Sequence, residues 1–293
     1  MKCTYLLRRT AHTVQTLRDR LLQTRAFLAW KSSQNKLNDL QQRIVSDLDR
    51  DGIAINVSEL GLDAQFQELC EHSSLLKPLP KKTGGIMKPF LHKLLSENVV
   101  DHDPESIYGR VCLDSRLLEI ASAYFRGLCS LSEYNMWLNV PIDDSAQSSQ
   151  LWHRDPGDIC LLKMFGLVTD LTPSNGSFHY LRGSHWRGPH ARLTAPSTHD
   201  GFSSRSNDEQ MRQLTDERDW IHVTGPRGTI IFADTRGYHK GGLVQSDHRL
   251  LLAAMYTRWM YTGESMLRQT TPLADDASVD QEWALRAIRR GEE

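Results

Sequence analysis

No disulfide framework can be drawn from this chain. Its five cysteines (Cys3, Cys70, Cys112, Cys129 and Cys160) are odd in number, widely scattered and form no CxxC pair. That is the usage of reduced thiols in an intracellular protein. Long apolar runs are also missing: the longest, Leu250–Tyr256, stops far short of the roughly 20 residues a membrane-spanning helix needs. Arg8 and Arg9 stand close together near the start with no apolar core and no small-residue cleavage site, so no secretory signal is read. Charge of one sign is lacking as well. With 35 basic and 36 acidic residues the net charge is −1, which gives no bulk attraction to nucleic acid or to an anionic membrane. There is no internal repeat and no low-complexity stretch. These absences leave a cytoplasmic protein with no nucleic-acid partner as the expectation. Its 293 residues, 39% hydrophobic and 24% charged, suffice for one large domain or one domain with helical additions.

What is present falls into two textures. Up to Lys36 there are eight basic residues against one acid, Asp19, and Val14, Leu17, Leu21 and Leu28 recur at helical spacing. This predicts a basic amphipathic helix. It can pack on the main domain, touch anionic lipid as a peripheral contact, or act as an organelle-targeting segment, and its sequence does not choose between them. Further helices are expected over Leu37 to about Asp49, around Ala64 to His72, and from Ser115 to Cys129. Gly52 to Val57 alternates weakly, as a short strand would. Pro78 to Gly85 reads as a loop. After about Tyr134 the texture becomes strands: 134–140, 158–171, 177–181, 219–223, 228–234 and 249–260, separated by Gly, Pro and Asn turns. Many short strands so punctuated predict a closed or double-sheet architecture, specifically a jelly roll with helices outside it. The polar stretch 183–217 breaks the rhythm and reads as a lid-like insertion or a loose surface loop.

The chemistry concentrates in Trp152-His153-Arg154-Asp155. Residues two apart in a strand share a face, so His153 and Asp155 can point at one ion. A second imidazole, His239, follows the strand 228–234 and its loop, and Gly241-Gly242 allow close backbone approach. Two histidines and one carboxylate make the facial triad that suits Fe(II) and leaves coordination positions open. Arg249 opens the returning strand, where a guanidinium can grip a carboxylate in a bidentate fork.

The order and wording of these segments resemble the phytanoyl-CoA dioxygenase family. Its WHxD motif is matched by Trp152-His153-Arg154-Asp155, and its acidic-turn segment by Asp170-Leu171-Thr172-Pro173-Ser174-Asn175-Gly176. Its GSH loop is matched by Arg182-Gly183-Ser184-His185, and its distal histidine segment by Asp234 to Gly242, closed by Arg249. The resemblance covers about residues 131–260. It implies a double-stranded β-helix, Fe(II) on His153, Asp155 and His239, 2-oxoglutarate as cosubstrate held by Arg249, and O2 as oxidant. Asn139 resembles a position where relatives place a polar contact to 2-oxoglutarate. Because Asp155 is present, hydroxylation is expected and not halogenation, in which a small residue replaces the carboxylate ligand.

The expected organisation is therefore a helical region over 1–105, packing on or extending the core, and a double-stranded β-helix domain over 106–293 with the insertion at about 183–217. The expected activity is oxidation of a small or lipid-linked substrate, with succinate and CO2 released. A catalytically silent barrel and a cupin-type metal enzyme that does not use 2-oxoglutarate are the competing readings. His185 and Trp186 open the insertion and are candidates for substrate contact. Arg182, Arg187, Arg192 and Arg236 either ring the pocket mouth, favouring an anionic substrate, or are solvated loop charges. His179 and Asp234 are expected to be structural, and Trp152 to pack away from His153.

Overall fold

The computed structural model describes residues 24–32, 37–57, 59–79, 88–158, 160–196, 198–199, 204–258, 265–286 and 289–290. Most of the expected basic N-terminal helix and of the 78–85 loop lies outside these. Residues 24–32 are helical, and Ala26 seats against Leu128 and Trp283.

Two sheets carry the architecture. The larger is wholly antiparallel, in the order Ile53–Val57, Thr229–Asp234, Leu161–Leu167, Arg249–Arg258, Cys129–Asn139, Leu91–Lys93. The smaller runs His239–Gly241, Phe178–Leu181, Trp220–Val223, and the bridge from His153 to His239 extends it by one short segment. The two sheets face each other as a jelly roll that is not a closed barrel.

Strand alternation explains the apolar runs. Phe165, Leu167, Ile231, Ala233, Leu251 and Ala253 point inward to meet Phe178, Tyr180 and Val223 of the smaller sheet. Their neighbours Leu162, Met164, Ile230, Phe232, Leu250 and Leu252 point outward, into a larger core shared with the helices. A strand buried on both faces reads as continuously apolar, which is why Leu250–Tyr256 shows no polar alternation. At roughly 1.5–3 kcal/mol for each large apolar side chain fully buried, this two-sided packing dominates the fold's stabilisation.

The helices cover the outer face. Asp39–Asp51 begins with a capping box between Asn38 and Gln41, and ends at Gly52 with φ of 81°. Asp63–Ser73, Ile107–Cys112 and Ser115–Phe125 complete the layer. The segment before residue 106 is thus more than a helical addition, because it supplies both edge strands of the larger sheet, Ile53–Val57 and Leu91–Lys93. Leu91–Lys93 is three residues long, too short to leave a period in the sequence. Among the described residues, no helix is long and apolar enough to cross a membrane.

Candidate active site

The cavity opens between the sheets, where strand ends from both converge. His153 and His239 face each other across a two-way backbone pairing: His153 N donates to His239 O and His239 N to His153 O, each at 3.0 Å. The ring centroids lie 4.2 Å apart. Asp155 is held beside them in a loop and not in a strand. Its N–H donates to Thr235 O at 2.8 Å, and its own carbonyl accepts from the Arg236 guanidinium. His153 Nε2 lies 3.7 Å from Asp155 Oδ1, and His239 Nε2 lies 3.8 Å from Oδ2. One candidate ligand atom from each of the three residues falls within 4.8 Å of the others.

The protonation states suit a cation. His153 Nδ1 meets Leu151 O at 2.8 Å and His239 Nδ1 meets Gly237 O at 3.0 Å. A carbonyl only accepts, so both Nδ1 atoms carry the proton and both Nε2 lone pairs face the centre. Burial lowers both imidazole pKa values; around His153 the neighbouring His239 lowers it further. Burial alone would raise the Asp155 carboxyl, but the Lys163 ammonium beside it outweighs burial and holds it well below the usual carboxylate range. Lys163 Nζ stands 2.7 Å from Asp155 Oδ2. Two neutral imidazoles and one ionised carboxylate on one face are the donor set of a facial triad.

Arg249 lines the same cavity. It is buried, and desolvation pulls its pKa down to about 10 with no opposing charge to restore it. Its Nη1 donates to Gly176 O, while Nε has no partner. Gly241 makes the room: a Cβ there would lie 3.1 Å from Arg249 Nη2. Asn139 is the direct cross-strand partner of Arg249, also lines the cavity, and has a buried Nδ2 with no acceptor. A desolvated guanidinium and an unsatisfied amide side by side offer the donors that a carboxylate would take up.

The other motifs build supports. In the 170–176 turn, Asn175 accepts from Thr172 N at 2.7 Å and donates to Asp170 O at 2.7 Å; this sets up Gly176, whose carbonyl engages Arg249. Ser184 Oγ accepts from Tyr238 N at 2.7 Å, fixing the residue before His239. Asp234 is fully buried. It accepts from Tyr124 Oη at 2.6 Å, Leu161 N at 3.2 Å and Arg236 N at 3.0 Å, so it shapes the loop that leads to His239. Trp152 turns away from His153 and packs with Leu181, Trp220 and Met211. His179 bonds Ser177 Oγ at 2.8 Å and meets the His222 ring edge-on.

Several expected pocket contacts lie elsewhere. His185 is buried against Asp49 O at 3.2 Å, beneath the end of the 39–51 helix, and Trp186 stacks with Arg187 at the surface. Neither lines the cavity. Arg236 acts behind the site, on the Asp155 carbonyl. Arg182 pairs with Asp51 and Arg187 with Asp49. The cationic side chains that do reach the cavity, besides Arg249, are Lys88, Lys163 and Arg205. Lys163 leaves a trace in the sequence as the one charge in the apolar strand Leu161–Leu167; Arg205, inside the insertion, leaves none.

Comparison with known proteins agrees with this geometry. A family model described as phytanoyl-CoA dioxygenase matches residues 95–250. Among solved structures, the fold is similar to the epimerase SnoN in complex with Fe3+, alpha ketoglutarate and nogalamycin RO. The TM-score is 0.54 and the identity 18%, covering 81% of this chain and 97% of that one. It is also similar to HygX from Streptomyces hygroscopicus with nickel, 2-oxoglutarate and hygromycin B bound, at a TM-score of 0.51 and 16% identity, covering 84% and 100%. No curated protein matches the chain.

Proposed function

The chain belongs to the phytanoyl-CoA dioxygenase family, and on that premise we propose that it is an Fe(II)- and 2-oxoglutarate-dependent dioxygenase that hydroxylates a small organic substrate. The observation that carries the reading is the placement of two receptors in one cavity: the His153, Asp155 and His239 donor set, and the Arg249–Asn139 carboxylate receptor.

The donor atoms and the orphaned groups fit the metal and the cosubstrate. His153, Asp155 and His239 hold Fe(II) through two lone pairs and a carboxylate oxygen. Arg249 holds the distal carboxylate of 2-oxoglutarate, and Asn139 donates its unused N–H to the same molecule. Iron and 2-oxoglutarate, when bound with O2, supply the oxidising chemistry, with succinate and CO2 as by-products. The protein's own work is placement. The carbonyls of Leu151 and Gly237 lock the imidazole tautomers, and Arg236 holds the Asp155 loop. The apolar walls (Phe165, Leu167, Phe178, Ile231, Leu251) keep bulk water from the cosubstrate. Lys163 offsets the charge of Asp155.

Calorimetric titration with Mn(II) and then 2-oxoglutarate tests this directly. Each ligand is expected to bind once. Asp155→Ala is expected to abolish metal binding, and Arg249→Ala to weaken 2-oxoglutarate at least a hundredfold while leaving Mn(II) binding in place. Absence of cosubstrate binding would leave only a silent binding protein. An Arg249→Ala chain with unchanged cosubstrate demand would point to a cupin-type enzyme. Succinate release across a metabolite panel, with Asp155→Ala as control, then identifies the substrate.

A further inference from the structure

Lys163 is the one charged side chain of the strand Leu161–Leu167, and alternation turns it into the cavity with Phe165 and Leu167. Its cross-strand neighbours are Ala233 on one side and Met255 on the other, neither of them acidic. Its ammonium reaches Asp155 Oδ2 at 2.7 Å, with the Trp137 ring centroid 5.7 Å away. Both members of the pair are largely buried, with side chains 15% and 17% exposed.

The distance between the two is built into the backbone. Thr235 is fully buried and joins both segments. Its N–H donates to Leu161 O at 2.8 Å, two residues before Lys163, and its carbonyl accepts from Asp155 N at 2.8 Å. The strand that carries Lys163 and the loop that carries Asp155 therefore hang from one residue. Arg236 donates to the Asp155 carbonyl, so the carboxylate is presented to Lys163 from a braced loop.

An ion pair in such a setting is a costly way to fill space. Desolvating two charges takes back much of their attraction, and apolar side chains of similar volume often stabilise as well. Phe165 and Leu167 show that the inward face of this strand is otherwise apolar. What the charge does that an apolar residue could not is distinguish the two oxygens of Asp155. Oδ1 lies 3.7 Å from His153 Nε2, and Oδ2 lies 3.8 Å from His239 Nε2, so the imidazoles favour neither. Lys163 breaks that near-symmetry. A divalent cation on Oδ2 would share one oxygen with the ammonium and be repelled by it; on Oδ1 it is spared that contact.

We propose that Lys163 is a positioning residue that reserves Oδ2 and leaves Oδ1 alone to the metal, so that Asp155 binds through one oxygen and not two. The inference rests on the function proposed above and gives Lys163 a task within that site. Its consequence is for the count of open positions. Two imidazoles and one carboxylate oxygen leave the opposite face of the ion open. The 2-oxo acid end of the cosubstrate offers two donor oxygens to that face, and one position remains for the oxidant. A second oxygen from Asp155 would fill it. By holding Oδ2, Lys163 keeps that last position free.

The test uses the full chain loaded anaerobically with Fe(II) and 2-oxoglutarate and titrated with nitric oxide, a probe of the last open position read by electron paramagnetic resonance. The native chain is expected to bind nitric oxide. Lys163→Met keeps the reach of the side chain without its charge, and is expected to weaken nitric oxide at least tenfold. Calorimetric affinity for Mn(II) is expected to hold or rise in this variant, and that for 2-oxoglutarate to stay within threefold, which also reports that it is folded. Lys163→Ala is expected to show the same loss, and added propylammonium, but not propanol, to restore part of it. Failure of the native chain to bind Mn(II) or 2-oxoglutarate overturns both readings. Unchanged nitric oxide affinity in Lys163→Met overturns this one alone. Loss of Mn(II) binding in both variants also overturns it, by making Lys163 part of the scaffold and not the keeper of a position.

Discussion

Asp234 shows how a single buried carboxyl links the catalytic scaffold to pH. Burial raises it from 3.8 to about 6, against the pull of hydrogen bonds from Tyr124, Arg236 and Leu161. Its folded form therefore holds a proton more tightly than its unfolded form. The resulting stability is fully present below the ordinary carboxyl pKa, and it is lost as pH rises through about 6. A rise of that size is worth roughly 3 kcal/mol. Asp234→Asn is neutral at every pH. It keeps one oxygen for the Leu161 and Arg236 N–H groups and offers its amide to the Tyr124 oxygen. The denaturant midpoint at pH 7, measured relative to that at pH 4.5, should consequently be higher in Asp234→Asn than in the native chain; an unchanged difference would assign the pH dependence to other groups. At this scale the sequence is informative where the signal is local. The three ligand candidates and Arg249 sit in short motifs whose residue types are their function. His185 and Trp186 fall outside the cavity because the insertion's first residues fold back under the 39–51 helix, a contact between segments far apart in sequence. Lys88 and Arg205 reach the cavity wall only through the fold, from segments with no local signal.

Among the elements, the insertion is the one whose behaviour its sequence understates. Its polar, proline-bearing stretch suggests a lid or a loose loop, yet Arg154 binds the Ala191 and His190 carbonyls at 2.9 and 3.1 Å while stacking on Tyr238. Asp208 adds the second latch, on Trp152 and Lys240. Removing that latch by Asp208→Ala leaves a buried indole N–H without an acceptor, a loss of about 1–3 kcal/mol. Limited proteolysis should then cut within 197–217 faster than in the native chain, and Mn(II) affinity should fall because both ligand-bearing backbones lose a brace. Equal cleavage rates would mean that the Ser206–Trp152 bridge alone secures the element. The strands are legible for a different reason. Their apolar runs and turn residues locate Phe178–Leu181, Trp220–Val223 and Thr229–Asp234 to within a residue or so. Strand order is not legible, because pairing Ile53–Val57 with Thr229–Asp234 is a choice among long-range partners that no local pattern encodes.

For the whole molecule, ligand binding and folding stability are one equilibrium. Metal and cosubstrate bind only where both sheets are in place, so each stabilises the folded chain. At a hundred times its Kd, one ligand adds about 2.7 kcal/mol. Thermal unfolding should rise by several degrees with Mn(II) plus 2-oxoglutarate, and the increment should vanish in Asp155→Ala; equal midpoints with and without ligand would contradict a preformed site. The backbone pairing of His153 with His239 carries one more consequence, for the order of events as the chain folds. These residues are distant in sequence and become neighbours only when the smaller sheet closes on its last bridge. A contact of such range is expected to form after the helices and other local elements. The cation is therefore captured by a chain whose local elements already stand, and metal capture in a stopped-flow refolding experiment would trail the recovery of helical structure.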